Sequence, residues 1–167
     1  MRKILAAFVF FLSIFCYADE RCDMRSLSYT QRGILEIGGN EDVVNIYVKS
    51  NERGAIMQID STFGTLCKLG IDNAGEIFLL ESQIPFKDDW VKKYVYRDFL
   101  IILGFKEKFN FNKFETKEYC KFIIDETYAI KFSDFKILES NKIIPEKIFI
   151  KDKNYNLKLN LLNLKNK

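Results

Sequence analysis

The chain has 167 residues, 26 basic and 23 acidic side chains, and a formal charge of +3 at pH 7. So small an excess argues against a nucleic-acid partner, which demands a concentrated basic face. Histidine is absent. That excludes Ser-His-Asp and Cys-His nucleophile activation, histidine-bearing zinc sites and histidine acid–base chemistry near neutrality.

Arg2 and Lys3 precede an apolar run over residues 4–15, and Cys16-Tyr17-Ala18 then offers small residues at alternate positions. These are the parts of a secretory signal peptide, and the run is too short to span a bilayer as a helix. Cleavage after Ala18 is expected, with residues 19–167 forming one periplasmic domain. An alternative is a membrane-anchored lipoprotein acylated at Cys16, but Ser13, Ile14 and Phe15 fit that processing site poorly. Removing Arg2 and Lys3 lowers the net charge by two.

Most of the remaining chain reads with period two, the signature of strands with one apolar and one wetter face. Val44, Ile46 and Val48 alternate with Asn45, Tyr47 and Lys49. Tyr128, Ile130 and Phe132 do so with Ala129, Lys131 and Ser133, and Tyr155, Leu157, Leu159 and Leu161 with Asn156, Lys158 and Asn160. Less regular candidates cover 29–37, 55–59, 65–71, 76–81, 119–124 and 147–151. Gly38-Gly39-Asn40, residues 51–54, 72–75 and 152–154 carry hairpin chemistry. Residues 29–81 and roughly 119–162 therefore read as two antiparallel meanders. Between them, residues 88–103 predict a helix capped by Asp88 and ended by Gly104. Residues 105–118 read as a loop or ragged hairpin.

The fold class is mainly β with α, of eight or so strands: a curled antiparallel sheet or half-barrel with a central helical plug. Sixteen Phe, eight Tyr and one Trp suit a large apolar interior. That interior could be an ordinary filled core or an apolar hollow. In the second case Val44, Ile46, Val48, Met57, Ile59, Phe78 and Leu80 from the sheet, with Trp90, Tyr94 and Ile101 from the helix, would line the pocket, and Arg97 would stand at its rim. Cys22, Cys67 and Cys120 permit one disulfide with one thiol left over, and their sequence positions do not choose the pairing.

Three segments carry a resemblance. Residues 57–65, MQIDSTFGT, form a strand followed by a Phe-Gly step; residues 94–101, YVYRDFLI, form a helix; residues 144–150, IPEKIFI, with 155–159, YNLKL, form a Pro-initiated final hairpin. Together with the order of parts, they resemble the LolA/LolB family of lipoprotein carriers and its LolB-like relatives. The resemblance implies a half-barrel that holds acyl chains on its concave side. No arginine here is equated with the one with which LolA holds its lid, so that mechanism is not carried over.

Adjacent carboxylates at Asp88-Asp89 and Asp125-Glu126 sit at expected caps and turns and point apart, so they read as structural. Asp72-Asn73-Ala74-Gly75-Glu76 is too short for a calcium loop. There is no Gly-x-Gly-x-x-Gly, Walker or Gly-x-Ser-x-Gly pattern. The sequence thus points to a monomeric, non-enzymatic protein without a cofactor, binding lipid acyl chains or lipoproteins. The alternative is an envelope scaffold or assembly factor with a filled core that binds protein partners.

Overall fold

A computed structural model describes residues 24–82, 91–105 and 108–165. The expected leader, Cys16, Cys22, Asp88 and Trp90 lie outside the described residues. Ten strands form one sheet: β1 (Ser28–Ile37), β2 (Asn40–Asn51), β3 (Gly54–Ser61), β4 (Gly64–Asp72), β5 (Ile77–Ser82), β6 (Asn112–Glu115), β7 (Tyr119–Asp125), β8 (Tyr128–Ile137), β9 (Ile143–Lys151) and β10 (Tyr155–Lys165). Their order is β5-β4-β3-β2-β1-β10-β9-β8-β7-β6, and every neighbouring pair is antiparallel.

The two expected meanders are both present, and they meet at the centre of the sheet, where β1 pairs with β10 from Ser28↔Lys165 to Ile37↔Tyr155. Tight turns enforce the meanders. Gly38 and Gly39, at φ 58° and 83°, supply the positive dihedrals a two-residue hairpin with native twist requires. The sheet is open, since β5 and β6 do not pair. It curls nevertheless, because alternate residues of β1–β4 and of β7–β10 contribute to one buried core around the helical segment.

Two local expectations are sharpened. The stretch 105–118, read as a loop or ragged hairpin, contains β6, whose four residues pair with β7 from Asn112↔Ile123 to Glu115↔Cys120. A neighbouring strand end supplies the hydrogen bonds that this short segment lacks alone. The helix is not uniform: a π-helical turn over Val91–Tyr96 runs directly into α1, Arg97–Leu103. Gly104 ends it as expected, in the left-handed conformation (φ 102°), donating to Leu100 and Ile101 carbonyls. No described helix is long and apolar enough to cross a membrane.

Candidate apolar pocket and its polar wall

The connection from β5 to β6 must pass from one edge of the sheet to the other, which lays the helical segment across the concave side. Beneath it a cavity of about 90 Å³ remains. Its sheet wall is built from Leu35, Ile37, Val44, Ile46, Ile59 and Cys67, and Leu157 closes it from β10. Tyr94, Val95, Phe99 and Ile102 come from the helical side. One water needs about 10–15 Å³ of such space. A cavity this apolar offers water few partners and instead favours hydrocarbon, at ~25 cal/mol per Å² of apolar surface buried.

One wall is polar. Asp98 and Tyr155 both line the cavity, and Arg97 ties them together. Its Nε donates to Asp98 Oδ1 at 3.0 Å, and its Nη2 donates to Asp152 Oδ2 at 2.9 Å and to the Tyr155 hydroxyl at 3.1 Å. The Tyr155 hydroxyl in turn donates to Asp98 Oδ2. The guanidinium lies 3.6 Å from the Tyr128 ring centroid and 5.5 Å from that of Tyr94. Tyr94 packs edge-on to Tyr155 and accepts from Asn154 Nδ2 at 3.2 Å. This network clamps α1 onto the β9–β10 turn.

Burial shapes its protonation. Loss of water pushes Asp98 up to about 6, with the Arg97 charge foremost among the groups that oppose the rise and the hydrogen bond from Tyr155 next. Burial, reinforced by the Asp98 charge, drives Tyr155 and Tyr128 upward. Both Asp98 oxygens accept a hydrogen bond, one from Arg97 and one from Tyr155, so the carboxylate ties α1 to β10. No group of three or more potential metal ligands occurs among the described residues.

Four sequence-predicted pocket residues, Val44, Ile46, Ile59 and Tyr94, meet around the cavity. Val48, Met57 and Ile101 are buried in the core but do not line it. Val48 and Met57 pair directly across β2 and β3. Phe78 and Leu80 are corrected: each is 50% exposed, and Phe78 stands over Gly70 on the outer face. A bulge between Lys68 and Leu69 breaks the β4–β5 register, and the uninterrupted apolar run 77–80 gave no parity to read. Arg97, expected at the rim, does not line the cavity itself, and its charge is shared between Asp98 and Asp152.

Reasoning from sequence missed Asp98, Tyr155, Cys67, Leu35 and Ile37. Alternation along β1 would have found the last two. An acid next to Arg97 within an apolar helical run was the available signal for the first. Cys67 and Cys120 are both buried, and neither forms a disulfide. Burial pushes the Cys67 thiol up to about 11.

No family model and no curated protein matches the chain. Among solved structures it is similar to a domain from Vibrio parahaemolyticus, provisionally described as an outer membrane lipoprotein-sorting protein domain. The two share 12% identity and a TM-score of 0.41, with 83% of this chain and 84% of that chain covered.

Proposed function

We propose that this chain is a monomeric, non-enzymatic carrier of acyl chains from lipids or lipoproteins, exported to the periplasm by its N-terminal leader. One observation carries the reading: the concave face keeps an apolar cavity beneath a helical cover instead of closing on itself. A hydrocarbon segment there would touch Val44, Ile46, Ile59 and Phe99, while the rest of the ligand emerges past the Asp98–Tyr155 wall. The π-helical turn supports this reading, because such wide turns recur where a helix serves a site. The engagement of Asp98 by Arg97 and Tyr155, the lack of histidine and the missing nucleophile motifs support binding without catalysis.

Native mass spectrometry of protein purified from its own cell envelope tests the proposal. A mass increment matching a lipid, exchanged by added fatty acid or lysolipid, is the expected result. Ile59→Trp fills the cavity and should abolish the increment while circular dichroism stays unchanged. A clean unliganded mass that ignores added lipids overturns the reading.

A further inference from the structure

We propose that the outer, convex face of the half formed by β7–β10 and β1 docks on an anionic lipid surface. The strand registers place one transverse row on this face: Phe114, Lys121, Lys131, Phe149, Lys158 and Ile34. At ~4.8 Å between strands, its three lysines fall within about 15 Å of one another. The flanking rows add Lys147 and Arg32 on one side and Lys151 on the other, where Glu36 stands at the β1 end. Among the described residues, only Lys147 of these cations has a carboxylate partner, Asp134 at 2.7 Å. Lys131 instead lies 4.6 Å from the Tyr119 ring centroid.

Lys121 and Lys131 are directly opposed across β7 and β8. Like charges in that position repel, and no acid in their row compensates them. An external anionic layer would. The face also alternates its charges with apolar groups, for Phe114 is 53% and Ile34 42% exposed in the same row. Long lysine stems reaching headgroups, with apolar side chains between them, suit the boundary of an acidic bilayer. Nucleic acid fits less well, because a convex sheet offers neither a groove to follow a backbone nor a stacking platform. The outer face of β2–β5 differs: its rows mix Lys49 and Lys68 with Asp60, Glu81 and uncharged residues. Among the described strands, the outer face of β7–β10 and β1 thus carries the larger basic excess. The inference is independent of the cavity.

Sedimentation with vesicles tests it, comparing phosphatidylglycerol–phosphatidylcholine mixtures with phosphatidylcholine alone at low and high salt. The protein should bind the anionic vesicles, release at high salt and ignore phosphatidylcholine. Each lysine near the surface should contribute roughly fivefold, so Lys121→Gln, Lys131→Gln and Lys158→Gln together should weaken binding on the order of 100-fold. These exposed or half-buried positions are expected to leave the melting temperature unchanged or raised. Should the triple variant unfold, Phe114→Ser alone must still weaken anionic-vesicle binding. Lys49→Gln with Lys68→Gln should bind as the parent does. Equal binding by parent and triple variant, equal binding to both vesicle types, or binding to an acidic protein or oligonucleotide but not to anionic vesicles, overturns the proposal.

Discussion

The two meanders have the same topology but treat their concave faces differently. On β7–β9 that face is filled by Phe122, Tyr128, Ile130, Phe132, Ile148 and Ile150, all essentially inaccessible. Phe122 packs edge-on against Phe111 and Phe132, with centroids 4.7 and 5.7 Å apart. On β1–β4 the matching positions carry Leu35, Val44, Ile46, Ile59 and Cys67, and the cavity opens there. Ring size decides the outcome. Flat, bulky rings can interlock across a curled sheet, whereas short branched chains facing a single helical turn leave space between them.

The sharpest way to break this contrast is to create a hole in the filled half. Phe132→Ala should lower stability by about 3–5 kcal/mol in urea unfolding. Val44→Ala, beside space that already exists, should cost clearly less. Equal losses would mean that the two halves are packed alike.

The polar wall gives the next largest effect. Asp98→Ala leaves Arg97 with Asp152 but removes the shared acceptor for Tyr155, and should cost about 1–3 kcal/mol, since Arg97 is partly exposed. Its pH dependence is specific. The folded-state value near 6 lies above the ordinary ~4 of an unfolded carboxyl, so between them the folded state binds the extra proton. The contribution of Asp98 is therefore full below about pH 4 and lost as pH rises through 6. Urea midpoints should show this downward component in the parent and lack it in Asp98→Asn.

The smallest effect is kinetic. Cys67 borders the cavity, while Cys120 sits in the filled half, its thiol against Glu115 Oε1 at 3.5 Å. With Cys16 and Cys22 replaced by Ser, a small alkylating reagent at mildly basic pH should modify Cys67 before Cys120. Fatty acid should slow Cys67 selectively. Reversed order would move the opening to the other side of the molecule.

Much of the fold was legible because a half-buried sheet imposes period two, and glycine- and asparagine-rich turns fix antiparallel neighbours. Val44, Ile46 and Ile59 could be assigned to the concave side for that reason. The site was less legible wherever parity was lost or pairing was remote. Leu80 falls in a bulge between Leu79 and Glu81 that no alternation announces, and Phe78 lies just before it. Tyr155 reaches Asp98 from 57 residues away, a meeting set by the sheet order alone. The π-helical turn has no composition that separates it from an α-helix. Net charge misled in a different manner: a near-neutral total concealed a lysine-rich row whose members are scattered over three strands.

The pairing of β1 with β10 has a consequence for how the molecule is made. Its middle seam joins segments more than a hundred residues apart, so the ribosome must deliver nearly the whole described chain before that seam can zip. Contacts of such long range slow folding. Until then each meander exposes an oily surface and an unsatisfied border strand, the features that chaperones recognise and aggregates exploit. A polypeptide interrupted before residue 155 should thus be handled by the cell as waste rather than as half a protein.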